Sequence, residues 1–540
     1  MIRDLDQRTE DGDIQADLCI IGSGAAGITL ARALRDSELD IVVLEAGGLE
    51  IDADSQEIYE GEIVGLDYYP IDTTRLRYFG GSTNHWSGRC MKLDPIDFKK
   101  RSWIPNSGWP IERDELLPYY QPAQEIVELS HRLEHDQFWE EFDIEPPGFD
   151  SSKLVKNIDQ RSPPTRFGEV YGEDLEAAER VTVWLHANVL EIGANQDADH
   201  VESVTVKSFK GKEAVVKAKA FVLACGAMEN ARLLLANRGA EPHGFGNRHD
   251  LVGRYFSDHA HVLIGDIITP DPVTLLDAAR RQFQGGAEFQ PRFALPDALQ
   301  EEFGVTNSAC WLVSELEASD GMAAAADLIE RMRGMDGRPP LTSSAWRVMV
   351  NLDDVAVAAW QRFIQGKKTV QKVSYVGLFG CTDPVPNPDS RVLLDEDDVD
   401  AFGMPRAVLD WRLTEQDHIS MRKLAEVMGA ELARTGLGRL KLHDWFMEEP
   451  ADDWMMRFHG SPEAERFAYL DWISNHNIGT TRMADDPKQG VVDGDCKMHH
   501  VDNFYIAGSS VFPTSGSAQP TLTIVALALR LADHLKEKVG

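Results

Sequence analysis

Apolar residues are grouped rather than evenly spread along the chain, and the grouping near the N-terminus is the most regular. Residues 17–21 (DLCII) form a short apolar run, the pattern of a strand buried on both faces. The turn GSGAAG follows, and 25–36 (AAGITLARALRD) then places Ile28, Ala31 and Leu34 on one face at helical spacing. A second run, IVVLE, ends at Glu45. Strand, turn, helix and strand within about 30 residues predict a βαβ unit, which implies a parallel sheet. Further on, VTVWLHANVLEI (181–192) predicts one strand and AFVLACGA (220–227) another, the latter running into an apolar helix, MENARLLLANR. YIAGSS (505–510) predicts a strand ending in a turn, and 521–537 a long terminal helix.

Less ordered stretches lie between these. Residues 75–90 (RLRYFGGSTNHWSGRC) read as a Gly-, Ser- and Asn-rich loop, and a segment rich in Trp, Pro and acids runs on to about 180. The middle, from about 255 to 465, is poorly periodic; it holds a loop-like GMDGRPP (334–340) and a strand pair around RVLLDE and RAVLDWRL. Nucleotide-type elements thus occur at both ends and in the middle, which predicts a discontinuous domain rather than beads on a string.

Composition narrows the class. A chain of 540 residues exceeds one ordinary core, so at least two domains or one large composite are expected. With 43% apolar and 26% charged residues it is globular. Acidic residues number 89 against 54 Lys and Arg, a formal charge of −35. Such a surface repels phosphate backbones, so no nucleic-acid partner is expected. No apolar run approaches the roughly 18 residues of a membrane span. The acidic N-terminus lacks the apolar stretch of a secretory signal. A cytoplasmic protein without a membrane partner is therefore expected. The six cysteines are scattered without CxxC spacing, which predicts neither a disulfide framework nor a metal site. His499 and His500, adjacent in a turn and without further ligands, read as loop-capping groups.

Gly22, Gly24 and Gly27 form G-x-G-x-x-G. The first glycine permits the tight turn, the second lets a pyrophosphate approach the backbone, and the third lets helix and strand pack closely. The helix that follows points its free N–H groups at the phosphates. Glu45, at the end of the second strand, is placed to accept hydrogen bonds from ribose hydroxyls and to repel a 2′-phosphate. Dinucleotide binding follows, with NADP disfavoured and both NAD and FAD open at this point.

A wider set of motifs separates the two. IIGSGAAG with EAGG after the second strand, GGSTNHWSG (80–88), GWPI (108–111), VLACGAMENARLLL (222–235), GMPR (403–406), HNIGTTRM (476–483) and FYIAGSSVFPTSGSAQPTLT (504–523) span nearly the whole chain. In content and order they resemble the glucose–methanol–choline (GMC) family of flavoprotein oxidoreductases. The resemblance is to a bacterial branch of pyranose- and glycoside-oxidising oxidases and dehydrogenases rather than to fungal glucose oxidases. It implies an α/β (α+β composite) fold: a Rossmann-like FAD-binding domain with an inserted substrate-binding domain on an antiparallel sheet. The FAD domain is expected from 1–95, 181–255 and 471–540, with 96–180 as substrate domain or connecting segment and 256–470 as the substrate-binding domain.

The resemblance also assigns roles. FAD would be held with its ADP half on Gly22, Gly24, Gly27 and Glu45, and with the adenine on the main chain of Val189. Gly80, Gly81, Ser82 and Asn84 would run beside the pyrophosphate and isoalloxazine, with Gly508, Ser509 and Thr521 on the flavin's other side. His476 matches the family's catalytic histidine, whose imidazole titrates in the working range and can take the alcohol proton as hydride leaves for flavin N5. Gln519 stands where the family usually has His or Asn. Its amide either hydrogen-bonds the substrate oxygen or only contacts the flavin edge. His85 matches a position that carries a covalent flavin bond in pyranose oxidases; non-covalent FAD is the main expectation, with a bond through His85 as the alternative. His259 and His261 (SDHAHV) read as packing or supporting groups, and Trp454, Met455 and Met456 as pocket wall, mobile flap or core. The implied reaction is oxidation of a secondary hydroxyl of a sugar or glycoside to a ketone, with oxygen or another acceptor reoxidising the flavin. The alternatives are a flavin-containing lyase of the same family and a catalytically weak nucleotide-binding partner protein.

Overall fold

The structure is a computed structural model describing residues 1–540 except 130, 136, 240, 280, 318–371, 449–453, 460 and 463–473. Its first sheet is built around the expected βαβ unit. Strand Ile14–Ile21 leads through the glycine turn into helix Ala25–Leu34 and back to strand Ile41–Leu44, which pairs with it in parallel, Leu18 opposite Ile41. Parallel neighbours extend the sheet to Val181–Leu185 and Ile2–Asp4 on one side and to Glu213–Leu223 and Phe504–Ile506 on the other. The central parts of its strands are apolar and buried: Leu18, Cys19, Ile20, Val43, Val183, Phe221, Val222 and Leu223 are fully buried. The terminal helix Thr521–Val539 packs on Ala25–Leu34 and Arg113–Ile126.

The run 181–192 is two strands, not the single one expected. Val181–Leu185 stays parallel to 41–44, and Asn188–Ala194 begins an antiparallel meander with Val201–Lys207. The break falls at His186, which takes a left-handed backbone (φ 56°) while its N–H donates to Gly47 O (2.9 Å). The chain is turned there by the loop after Glu45, a tertiary cause that local apolar patterning does not carry.

The poorly periodic middle forms a second, antiparallel sheet in the order 439–442, 261–268, 372–381, 309–317, 287–294, 155–161 and 89–90. Strands 391–399 and 405–410 pair antiparallel as expected and are joined by Gly61–Ile63 in a third, small sheet. Arg232, in the helix Ala227–Ala236, is buried and ties this small sheet to the first: it donates to Glu229 (3.0 Å), to Pro405 O (2.7 Å) and to Asp400. Trp454 and Met455 are buried; Trp454 packs against His418 (ring centroids 5.9 Å apart) and Phe446, so these two residues belong to the core. The GMDGRPP stretch lies outside the described residues. All six cysteines are free. No helix among the described residues is long and apolar enough to cross a membrane.

Candidate active site

One continuous cavity of about 350 Å³ connects the first sheet to the second. At one end it is walled by Gly22, Ser23, Gly24, Glu45 and Val189; at the other by His85, Trp86, Arg89, His476 and Gln519; Gly81, Ser82, Gly508, Ser509 and Thr521 line it between.

The glycine turn is shaped by contact with its own sheet. Gly22 has φ +103°, and a Cβ there would lie 2.6 Å from Ala224 O. A Cβ on Gly27 would lie 1.9 Å from Gly22 O, so the helix can approach the strand this closely only through glycine. Gly24, by contrast, faces open space in the cavity. Glu45 closes the turn from below: its carboxylate accepts from Ser23 N (3.2 Å), Ser23 Oγ and Gly47 N (2.9 Å). Three of its roughly four lone-pair positions are then taken, leaving one for a ribose hydroxyl. The loop 76–84 is pinned over this turn by Gly80 N, which donates to Ser23 O (3.1 Å), and by Phe79 N, which donates to Gly48 O (2.9 Å).

Not every residue expected at the cofactor lines the cavity. Gly27 packs helix to strand, Gly80 carries the loop's left-handed turn (φ 95°), and Asn84 donates to Phe79 O (3.0 Å) inside the loop. These three shape the wall from behind. Gly22, Gly24, Glu45, Gly81, Ser82, His85, Val189, Gly508, Ser509 and Thr521 all reach it. His85 is exposed to the cavity, and partial burial with Arg166 nearby holds its pKa below the ordinary histidine value.

The far end is organised by a residue that the sequence marks only as a supporting group. His259, fully buried, places Nδ1 2.9 Å from His476 Nδ1 and Nε2 2.9 Å from Gly516 O. A carbonyl only accepts, so His259 Nε2 carries a proton. Burial pushes the His259 pKa down to about 4, so the ring is neutral and its Nδ1 is a lone pair. His476 Nδ1–H must then be the donor of the pair, which leaves His476 Nε2 unprotonated, and the side chain opens onto the cavity. Burial, with His259, His261 and Arg89 adding to it, holds His476 well below the usual histidine range. Its backbone is held too: His476 N donates to Asp258 Oδ1 (2.9 Å), while Asp258 Oδ2 accepts from Tyr68 OH (2.6 Å). Burial pushes the Asp258 carboxyl up to about 7. Asp258, His259 and His476 are close enough to share a cation, but their facing atoms are already engaged in these hydrogen bonds.

Gln519 is the opposite case. It is 2% exposed, it lines the cavity, and among the described residues neither atom of its amide has a hydrogen-bond partner. Two unpaired buried polar atoms cost about 1–3 kcal/mol each. An amide left this way is a site completed by a ligand. Together with the open ground at Gly24 and the spare acceptor of Glu45, it fits a dinucleotide cofactor, which these residues would hold. Ser474 and Asn475, just before HNIGTTRM, and Asn477, within it, also reach the cavity without having been given a role from the sequence.

Known proteins agree with this geometry. Residues 386–528 match the family described as GMC oxidoreductase, and 17–244 the family described as FAD dependent oxidoreductase. The chain is 23% identical to 2-methyl-1,2-propanediol dehydrogenase of Mycolicibacterium austroafricanum, over 97% of this chain and 96% of that protein. It is 24% identical to C-glycoside 3-oxidase of Microbacterium trichothecenolyticum, over 97% of each. Among solved structures, pyridoxine 4-oxidase from Mesorbium loti superposes with a TM-score of 0.54 at 19% identity, covering 96% of this chain and 98% of that one. The mixed sheet architecture and the dinucleotide cavity accord with these matches: the chain carries an FAD-dependent oxidoreductase domain and a GMC oxidoreductase C-terminal domain, and is an FAD-dependent oxidoreductase.

Proposed function

We propose that this chain oxidises a secondary hydroxyl of a sugar or glycoside to a ketone, with His476 as the general base. The observation that carries the reading is the paired imidazoles, which leave His476 Nε2 as a lone pair on the same cavity as the glycine turn and Gln519. Bound FAD supplies the acceptor for the two electrons of the carbinol C–H bond. The residues do the rest. His476 Nε2 takes the hydroxyl proton, which makes the carbon a better hydride donor. Because burial keeps this ring neutral, the base is ready without first losing a proton. The Gln519 amide hydrogen-bonds the substrate oxygen and holds it within reach of His476. The sugar assignment draws on relatives such as the C-glycoside 3-oxidase, whose name specifies a glycoside.

The test is anaerobic titration of the purified yellow protein with sugars and glycosides. Bleaching of the flavin with formation of a keto product is expected; no bleaching with any alcohol overturns the reading. Acid precipitation of the same sample should release FAD into the supernatant, whereas colour retained in the pellet would indicate a bond through His85.

The pairing makes its own prediction. His259→Ala should leave FAD content unchanged and slow flavin reduction about ten- to hundredfold, the range of a misoriented base. Since burial is the main cause of the depressed His476 pKa and loss of the His259 ring opens that side to water, the substitution should also move the acid limb of the pH–rate profile to higher pH. A slower enzyme with an unmoved acid limb would make His259 merely structural.

A further inference from the structure

The substrate end of the cavity contains a cation that the chemistry above does not use. Arg89 lies on the strand Arg89–Cys90 at the edge of the second sheet and lines the cavity with His476 and Gln519. Among the described residues its one polar partner is Asp159, which sits 3.5 Å from Nε, so the two terminal nitrogens are left to the cavity. The guanidinium stands over the Trp311 ring, 5.7 Å from its centroid, which fixes its plane.

The charge around it does not cancel. Arg292, buried, stacks on the same Trp311 (5.4 Å) and gives its terminal nitrogens to Ser517 O (2.9 Å), with no carboxylate partner among the described residues. Among the described residues about Trp311, two guanidiniums therefore face one carboxylate. This island of positive charge sits in a protein of net charge −35, whose outer surface repels anions. A planar guanidinium with free terminal N–H groups matches a carboxylate better than scattered hydroxyls, because two parallel hydrogen bonds form at once.

We propose that Arg89 is the specificity residue of the substrate end and that the alcohol oxidised is an acidic sugar or glycoside, one whose carboxylate pairs with this guanidinium. The inference rests on the reading above that a sugar is oxidised at His476, and adds the class of sugar. Arg89 acts in binding, holding the acidic group while another carbon of the ring faces His476.

The test uses the FAD-loaded protein and matched ligands: glucuronate with glucose, galacturonate with galactose, and phenyl glucuronide with phenyl glucoside. Each is titrated while the absorbance change of the oxidised flavin is followed without turnover. In at least one pair the acidic member should bind about tenfold more tightly than the neutral one, and Arg89→Gln should remove that preference while leaving FAD content intact. Arg89→Lys, which keeps the charge but loses the fork, should retain part of it. Equal or tighter binding of the neutral members overturns the proposal, as does the absence of binding by every ligand. A preference that survives Arg89→Gln, or loss of FAD in both variants, also overturns it. If the preference is found but no alcohol bleaches the flavin anaerobically, the anion site stands and the oxidation reading is what fails.

Discussion

His476→Ala leaves the protein yellow and takes away its ability to be reduced by substrate: the rate of anaerobic flavin bleaching falls by about 10²–10⁴-fold, the usual contribution of a positioned base. FAD should stay bound, because the residues proposed to cradle it, the glycine turn, Glu45 and the 76–84 loop, do not hydrogen-bond the His476 side chain. Stopped-flow mixing with the best substrate measures the rate, and the visible spectrum measures the occupancy. A variant that is reduced at the parent rate would remove His476 from the reaction.

The parent enzyme's pH dependence has a definite sign. In the proposed reaction His476 works unprotonated, and burial depresses its pKa, so the active form persists as pH falls through the ordinary histidine value of 6.5. The rate of reduction should be flat from pH 8 through 6.5 and decline only below that. Protonation of Asp258 near 7 leaves that carboxyl an acceptor for His476 N and so does not release the loop. An acid limb centred at or above 6.5 would mean that the imidazole is solvated, not buried.

The second large effect lies at the other end of the cavity. Gly27→Val should yield protein depleted of FAD and less stable by about 1–3 kcal/mol, the common cost of forcing atoms into a filled space. The obstruction is backbone: even a Cβ would stand 1.9 Å from Gly22 O, so the helix must move off the strand, and its N-terminal N–H groups move away from the pyrophosphate. Flavin-to-protein absorbance ratio and thermal melting read the two effects together. Full occupancy with unchanged melting would show that the close approach is not needed.

The sequence missed the 21-residue helix Glu415–Thr435, although its N-terminus carries a capping box, Thr414 with Asp417. Its inner face holds Asp417, Ser420 and Glu431 among the apolar residues, which blurs the periodicity. Asp417 is buried for a local reason, accepting from Thr414 N (2.6 Å) and from Val385 N (2.8 Å). The second of those partners is invisible without the fold.

What the chain alone determined is what short-range geometry dictates. A tight turn with a close strand–helix approach needs glycine at particular spacings, a buried parallel strand needs an unbroken apolar run, and a carboxylate must end the next strand; each can be seen in Gly22, Gly27, DLCII and Glu45. The family motifs pointed to His476 and Gln519, which the fold brings to one cavity. Tertiary structure decided the protonation state of the site, because the ring that fixes the His476 tautomer arrives from 217 residues away and is itself fixed by Gly516. It also decided that Arg89 reaches the cavity beside Trp311 and that strand 181–192 breaks at His186. Hydrogen bonds and charge contacts between distant segments depend on how sheets dock, and no periodicity along one segment records that.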